Sequence, residues 1–369
     1  MHPTDLDAHH LGQALTLARH AIGLSEPNPR VGCVLVAPGG RQVIGEGFTQ
    51  QAGGPHAEVM ALRDAQARGQ STRGATAYVT LEPCAHHGRT PPCCDALIEA
   101  GVARVVAAVG DPNPLVNGQG MARLAGAGIR AEWGPPDLAE QARELNIGFF
   151  SRMQRRRPWV RLKMAASLDG RTALTDGRSQ WITGGAARAD GHAWRARAGV
   201  LLCGVGTVLA DDPRLDVREV AVARQPVRAI VDTHLQTPPQ ARLFDAGPSP
   251  VRVYTASADG AAAQALRDRG ATLVPCPLVD GRIDLAAVLA DLHALACNEL
   301  HLECGPTLAG AWLRGGWVDE LLLYLAPMLV GPGRPLAELT ALPGLDAATR
   351  WRFHEITPVG EDLRLRLRR

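Results

Sequence analysis

The chain has 369 residues, more than one ordinary hydrophobic core accommodates, so two domains are the natural expectation. Its apolar content of 46% and charged content of 21% are typical of a globular protein, and no apolar run approaches the roughly 18 residues that a membrane-spanning helix needs. A formal net charge of +2 and an aromatic content of 4% argue against a general nucleic-acid binder, which needs a basic surface and aromatic rings for stacking bases.

The first half alternates strands and helices. A helix over 9–21 precedes a loop at 25–30, where each of two prolines restricts the residue before it. Runs of apolar residues between turn signals then predict a hairpin of strands 31–36 and 42–48, a helix over 56–68, a strand over 75–81, a helix over 94–100 and a strand over 104–109. The order β-β-α-β-α-β predicts a sheet with helices on its faces.

A domain boundary is predicted after a helix over 138–150, which follows Pro135 and Pro136. The basic stretch 152–158 is the strongest boundary signal in the chain because it is polar and ends at a proline. It fits either a phosphate- or RNA-binding patch or a solvated linker, and we favour the linker because a run of four arginines is short. We predict a first domain over 1–150 and a second over 158–369.

The second half restarts with a strand and again alternates. Thr183 is a suitable N-cap for a helix, a short helix ends at 211–213, and a longer one covers 284–296. Strands are predicted over 159–164, 200–203, 227–231, 251–255, 271–275, 299–303, 321–326 and 363–367. The run 321–326 is apolar throughout, as in a central strand, whereas 363–367 alternates strictly and predicts a strand with one face in water.

His56 and Glu58 stand two residues apart, and Cys84 follows His56 by 28 residues. Zinc binds imidazole nitrogen and thiolate sulfur together, and a zinc deaminase adds a glutamate that moves protons without binding the metal. We therefore assign His56 to the metal and Glu58 to catalysis. The general deaminase signature has a cysteine three residues after the first, but His87 stands there, and the next cysteines are Cys93 and Cys94.

The residues 83–93, PCAHHGRTPPC, resemble the P-C-x-H-x-G-x-T-P-P-C motif of the pyrimidine deaminases of riboflavin biosynthesis, the amino half of the bifunctional RibD family. The resemblance implies Cys93 as the third ligand beside His56 and Cys84; His87 stays a lesser alternative. Cys94 has no counterpart role, and His86, Gly88 and Thr90 belong to the motif with roles unassigned.

Asn28 lies in a stretch similar to the family's P-N-P-x-V-G, which borders the pyrimidine pocket. Its amide offers both a donor and an acceptor to a ring edge, so we assign it to substrate binding; a turn asparagine is the alternative.

Two glycine-rich turns in the second half, 204–206 and 304–307, follow predicted strands. Their backbone N–H groups suit phosphate, yet neither completes G-x-G-x-x-G because Leu209 stands at the third glycine. Nucleotide binding and ordinary tight turns both remain open on this pattern alone.

Four stretches resemble the reductase half of the same family: KMAASLDGRTA, SQWITG, GVGTVLADDPRL and ECGPTLAGA. That half has a dihydrofolate-reductase-like α/β fold and uses NADPH. The residues that match its cofactor sites are Ala165, Trp181, Thr207, Asp211, Thr233, Gly305, Pro306, Thr307, Leu308, Ala309, Gly310 and Ala311. Those that match its substrate sites are Lys163, Ser179, Arg195, Leu215, Arg218 and Glu303, and the arginines suit a ribose phosphate.

The resemblance covers nearly the whole chain and implies a cytidine-deaminase-like three-layer α/β/α domain followed by the reductase domain. It implies zinc and NADPH as cofactors, a small phosphorylated pyrimidine as substrate, no nucleic-acid or membrane partner, and a homo-oligomer. Eight cysteines read as reduced thiols, and the start lacks an apolar signal core, so we expect a cytoplasmic protein. The rival interpretations are a nucleic-acid or nucleoside deaminase with an accessory domain, and a deaminase joined to a nucleotide-sensing domain.

Overall fold

The computed structural model describes residues 3–86, 91–114 and 116–369. His87, Gly88 and Thr90 therefore lie outside the described residues. The chain divides into two compact units, Met1–Arg156 and Arg157–Arg369. In the described residues, no helix combines the length and the apolar character needed to cross a membrane.

The first unit is a five-stranded sheet with helices on both faces. Its elements are α1 (Pro3–Arg19), β1 (Gly32–Val36), β2 (Val43–Phe48), α2 (Ala57–Ala67), β3 (Thr76–Val79), α3 (Cys93–Glu99), β4 (Arg104–Ala107), α4 (Gln119–Gly126), β5 (Arg130–Trp133), α5 (Pro136–Leu145) and α6 (Ile147–Arg155). The strand order is β2-β1-β3-β4-β5, with β1 antiparallel to both neighbours and β3, β4 and β5 parallel. The predicted hairpin and the alternation after it are confirmed.

Glycines let two helices approach this sheet from opposite faces. A Cβ on Gly32 would lie 1.9 Å from the Ala14 carbonyl oxygen of α1. A Cβ on Gly47 would lie 2.4 Å from the Ala57 carbonyl oxygen of α2. Gly47 is paired with Cys33, the residue after Gly32, and successive residues of a strand face opposite sides. The two helices thus cover opposite faces, which makes the three-layer arrangement.

The predicted helix over 138–150 is in fact two helices that meet at Asn146. The interpretation of 152–158 as a linker is wrong for residues 152–155, which belong to the second of these helices. Asn146 leaves helical geometry at φ −108° and ψ 20°, and its side chain bonds to the backbone of Arg30 instead. The second helix, α6, then continues through Arg155 because Phe149 on its inner face is buried.

The second unit contains a nine-stranded sheet. Its elements are β6 (Trp159–Ser167), β7 (Arg171–Leu174), α7 (Gly185–Ala196), β8 (Val200–Gly204), α8 (Val205–Asp211), β9 (Val227–Val231), β10 (Val251–Thr255), α9 (Ala261–Asp268), β11 (Ala271–Pro275), β12 (Leu278–Val279), β13 (Arg282–Ile283), α10 (Leu285–Ala294), β14 (Glu299–Leu302), α11 (Pro306–Arg314), β15 (Glu320–Ala326), β16 (Gly333–Pro335), β17 (Arg352–Val359) and β18 (Asp362–Arg368). The order is β11-β10-β9-β8-β14-β6-β15-β18-β17, and β18 is antiparallel to both its neighbours while the other pairs are parallel. The run 321–326 is a central strand, as predicted.

One local prediction in this unit needs correction. The N-cap of α7 is Gly184 and not Thr183, because the Gly184 N–H donates to the Asp362 carboxylate at 2.8 Å. The C-terminal strand β18 alternates as predicted, and the sequence left open which face meets water; its arginines face the protein. Arg366 is buried, whereas Leu363 is 39% exposed.

Candidate active sites

Three thiol and imidazole groups converge in the first unit. His56 is the N-cap of α2, Cys84 lies in the segment after β3, and Cys93 is the first residue of α3. His56 Nδ1 is 3.2 Å from Cys93 Sγ and 3.7 Å from Cys84 Sγ, and all three ligand atoms lie within 4.8 Å of one another. Two sulfurs and one imidazole nitrogen at this spacing fit tetrahedral zinc with its fourth position open.

The protonation of the thiols also suits a metal. The hydrogen bond from Cys93 lowers the pKa of Cys84 to about 4 against the effect of burial, and His56 adds to the lowering. The same pairing raises the pKa of Cys93. At least one sulfur of the cluster is therefore a thiolate at neutral pH, which is the form that binds zinc.

Glu58 lies in the first turn of α2, two residues beyond His56, and is 3% exposed. Burial raises the pKa of its carboxyl, and the negative charge of Cys84 raises it further. Burial and a raised pKa are typical of a carboxyl that acts as a general acid–base group.

A cavity of about 290 Å³ opens onto this cluster. Asn28, His56, Glu58 and Cys84 line it, so the structure brings the predicted pyrimidine-binding asparagine to the metal ligands. His86 lines it too, and its Nδ1 is buried without a hydrogen-bond partner among the described residues.

Five further polar residues of the cavity were missed in the sequence: Thr49, Glu82, Asp111, Asn113 and Arg152. Burial raises the pKa of Asp111 to about 7. Asp111 and Asn113 follow β4, whose parallel neighbour β3 precedes Cys84. The carboxyl ends of neighbouring parallel strands lie at one edge of a sheet. The segment after β4 is therefore expected beside the segment after β3, and this expectation would have identified Asp111 and Asn113 as neighbours of Cys84. Arg152 lay in the basic stretch interpreted as a linker, and its guanidinium donates to the Pro27 carbonyl at 3.0 Å.

In the second unit, most residues matched to cofactor sites follow the carboxyl ends of neighbouring parallel strands. Thr207 and Asp211 lie in α8 after β8, Thr233 comes after β9, and the run 305–311 follows β14. This edge is where open α/β sheets bind ligands. Gly305 is the N-cap of α11, and a Cβ there would meet no atom within 4 Å, so the first turn of the helix opens onto space that a phosphate can enter.

The run 305–311 does not present every side chain to that space. Ala309 is fully buried in the core, and a Cβ on Gly310 would lie 2.0 Å from the Glu338 carbonyl oxygen. Ala165 lies on β6 and packs with Tyr324, and Trp181 is 65% exposed beneath the Arg188 guanidinium, 4.4 Å from its ring centre.

The residues matched to substrate sites include a charged cluster. Arg195 makes two hydrogen bonds to the Glu303 carboxylate, at 2.5 and 2.7 Å, and a third to the Asp216 carbonyl. Although burial opposes it, Arg195 holds the pKa of Glu303 well below its usual range, with help from His301 and Lys163. Burial lowers the pKa of Lys163.

The other matched residues are more dispersed. Arg218 is half-exposed and donates to the Asp216 carboxylate at 2.8 Å. The Leu215 side chain is buried in the core, so only its backbone is available to a ligand, while Ser179 is partly exposed in the loop before Trp181.

Comparison with known proteins agrees with this division. The family model "Cytidine and deoxycytidylate deaminase zinc-binding region" matches residues 4–109, and "RibD C-terminal domain" matches residues 158–365. Riboflavin biosynthesis protein RibD of Escherichia coli (strain K12) is 44% identical over 374 residues, 98% of this chain and 99% of that protein.

Solved structures match the whole chain as well. Acinetobacter baumannii RibD, form 1, has a TM-score of 0.88 at 40% identity and covers 99% of both chains. A diaminohydroxyphosphoribosylaminopyrimidine deaminase/5-amino-6-(5-phosphoribosylamino)uracil reductase from Thermotoga maritima has a TM-score of 0.87 at 32% identity over 100% of this chain and 99% of that one. The chain therefore belongs to the RibD family, with a cytidine-deaminase-like first domain and a dihydrofolate-reductase-like second domain.

Proposed function

We propose that this chain is a bifunctional enzyme of riboflavin biosynthesis. Its first domain hydrolyses the 2-amino group of 2,5-diamino-6-(5-phosphoribosylamino)pyrimidin-4-one and releases ammonia. Its second domain then reduces the ribosyl group of the deaminated product to ribityl. The observation that carries the proposal is the convergence of His56, Cys84 and Cys93 beside Glu58 in a cavity that Asn28 also lines.

In the deaminase, His56, Cys84 and Cys93 hold the metal. When bound, zinc supplies a Lewis acid that makes water nucleophilic near neutral pH. Glu58 takes one proton from the attacking water and passes it to a ring nitrogen as the C–O bond forms. It then takes the second proton, from the hydroxyl now on C2, and passes it to the departing amine as the C–N bond breaks, which leaves a carbonyl and ammonia. Asn28 orients the pyrimidine edge through its amide.

In the reductase, the loops at the carboxyl edge of the sheet hold NADPH, which supplies the hydride. The first turn of α11 suits a phosphate group of the cofactor. The ring-opened sugar presents an imine carbon, and its reduction needs a bound, oriented substrate. Arg218 is suited to the substrate phosphate, and the ionised Glu303 carboxylate to the sugar hydroxyls.

The test is incubation of the purified protein with the diaminopyrimidine phosphate, with and without NADPH, following ammonia and nicotinamide absorbance. We expect ammonia release without NADPH, and NADPH oxidation only when substrate is present. Absence of both products would refute the proposal, and ammonia from cytidine or tRNA instead would favour a nucleoside or nucleic-acid deaminase.

We also propose that the two domains span 1–150 and 158–369, with a cytoplasmic location because Cys84 and Cys93 must stay reduced to bind a metal. The match of the RibD C-terminal domain from residue 158 supports the second boundary.

We propose that the protein forms a homo-oligomer through the outer face of the β17–β18 hairpin. Cross-strand pairs Phe353–Leu367, Ile356–Leu365 and Pro358–Leu363 place apolar side chains on one face, and Phe353 and Ile356 are 62% and 56% exposed. An apolar face of this kind is typical of a surface that a second copy covers.

Ile356→Lys should therefore lower the molar mass measured by light scattering. The control Gln240→Lys adds the same charge in an exposed loop and should leave it unchanged. A monomeric wild-type protein would contradict this proposal.

A further inference from the structure

We propose that Glu82 is a positioning residue of the deaminase, which locks one wall of the cavity to the segment that supplies the metal ligand Cys84. The inference rests on the deaminase function proposed above. The wall consists of residues 111–114 and 116–121, which follow β4 and contribute Asp111, Asn113 and Val116 to the cavity.

The Glu82 carboxylate is 3% exposed and accepts four backbone hydrogen bonds from this segment. One oxygen accepts from the N–H groups of Asp111 at 3.3 Å and Gly118 at 3.0 Å. The other accepts from those of Gly120 at 2.9 Å and Met121 at 3.2 Å. Charge-assisted bonds to backbone amides are among the stronger ones in proteins, and a buried carboxylate needs them to offset the loss of water.

The segment has a structural need for this carboxylate. The first turn of a helix leaves backbone N–H groups without partners, and the N-cap of α4 is Gly118, which has no side chain to accept them. Glu82 takes that role from a distant part of the chain, and its negative charge is favourable at a helix N-terminus.

Close packing at the same junction leaves little room for adjustment. A Cβ on Gly120 would lie 2.0 Å from the Pro83 carbonyl oxygen, so α4 rests directly on the Glu82–Pro83 backbone. The Cys94 thiol bridges the two sides, 3.4 Å from the Pro83 oxygen and 3.5 Å from the Gly120 oxygen. This contact gives Cys94 a place in the site although it is not a metal ligand.

The position of Glu82 links this wall to the metal. Glu82 precedes Cys84 by two residues, so one short segment presents a zinc ligand on one side and holds the wall on the other. A hydrogen bond within the wall also holds its two polar residues together, because the Asp111 carboxylate accepts from the Asn113 backbone N–H at 2.8 Å. The distance from the metal ligands to these polar side chains therefore depends on Glu82.

The test is Glu82→Gln in the full-length protein, with deamination, reduction and zinc content measured on the same sample. Glutamine keeps one acceptor oxygen and turns an NH₂ group toward two of the four N–H donors. We expect the KM for deamination to rise and kcat/KM to fall by ~10- to 100-fold, with zinc bound at the wild-type level. Zinc bound at the wild-type level would show that the first unit is folded, and reduction of the deaminated substrate by the second unit should be unchanged.

Glu99→Gln is the matched control, because Glu99 is an exposed residue of α3, and its kinetics should equal those of the wild type. Gly120→Ala is a second variant that displaces α4 without altering the carboxylate, and we expect a rise in KM of the same sign. A KM for deamination equal to that of the wild type in Glu82→Gln would overturn the inference. It would also be overturned if the variant lost zinc and lost activity in proportion, while its KM stayed unchanged. Wild-type protein that releases no ammonia would instead refute the deaminase function itself.

Discussion

The Glu58 carboxyl is the only group besides the three metal ligands to which we assign a chemical step in deamination. It is buried in the first turn of α2, where burial and the negative charge of Cys84 raise its pKa. Glu58→Gln should keep the zinc and lose deamination by about 10²- to 10⁴-fold, the usual contribution of a general acid–base group. NADPH oxidation by the deaminated substrate should be spared. Deaminase turnover at the wild-type rate in this variant would contradict the proton-transfer role.

A pH effect on stability is expected at His192, which is 5% exposed on α7. Burial lowers the pKa of His192 to about 4, and Arg195 and Arg218 add to the lowering. Its Nδ1 accepts from the Arg218 N–H at 3.4 Å, as a neutral ring does. Because the folded pKa lies below the unfolded value of 6.5, the stability from neutral His192 is complete above pH 6.5 and is lost as the pH falls to about 4.

His192→Asn removes the titration and keeps an acceptor for the Arg218 N–H. The free energy of unfolding should therefore fall less steeply between pH 6.5 and 4 in the variant than in the wild type, by about 2 kcal/mol over this range. Urea unfolding followed by tryptophan fluorescence measures it, because six of the seven tryptophans lie in Arg157–Arg369. If the free energy of unfolding had the same dependence on pH in both proteins, protonation of His192 would not be coupled to unfolding.

At the scale of elements, strands β6, β14, β15 and β18 are joined by a buried ion-pair network. The Glu320 carboxylate accepts from Arg161, Arg366 and Arg368 at 2.6, 2.9 and 2.8 Å, and Glu299 accepts from Arg161 at 2.7 Å. The side chains of Arg161 and Glu320 are fully buried. Removing one partner of such a network leaves a charge in the interior without compensation.

Glu320→Gln should accordingly destabilise the second unit by about 3–5 kcal/mol, measured by urea unfolding of the full-length protein. Asp176→Asn is the matched control, because the Arg178–Asp176 pair is 78% and 51% exposed, and its stability should be that of the wild type. Equal free energies of unfolding for Glu320→Gln and Asp176→Asn would show that the buried network stabilises the protein no more than the exposed ion pair does.

The same elements show what the sequence could and could not predict. The strict alternation of 363–367 predicts a strand, but a period of two does not say which face meets water. The arginine face is the inner one because Trp194 and the carboxylates of Glu320 and Glu355 lie against it, and these are distant in the chain. Likewise, a run of arginines predicts solvent exposure, and only tertiary packing through Phe149 and Asn146 shows that 152–155 continues a helix on the cavity.

For the whole molecule, the convergence of the three candidate metal ligands was predictable because each lies in a short motif at the end of one element. His56, Cys84 and Cys93 are recognisable from their neighbours in the chain. Asp111 and Asn113 carry no such local pattern, and they reach the cavity through the order of the parallel strands and the bonds to Glu82. The residue contacts of the reductase half stay predictions, since side chains such as Ala309 and Leu215 are directed into the core.

The division into two compact units implies that each reaction depends on its own site. Removal of metal by a chelator tests this most directly, because His56, Cys84 and Cys93 form the one candidate metal cluster among the residues that the structure describes. We predict that the metal-free protein releases no ammonia, still oxidises NADPH with the deaminated substrate, and recovers ammonia release when zinc is returned. Ammonia release at the full rate from metal-free protein would contradict the account.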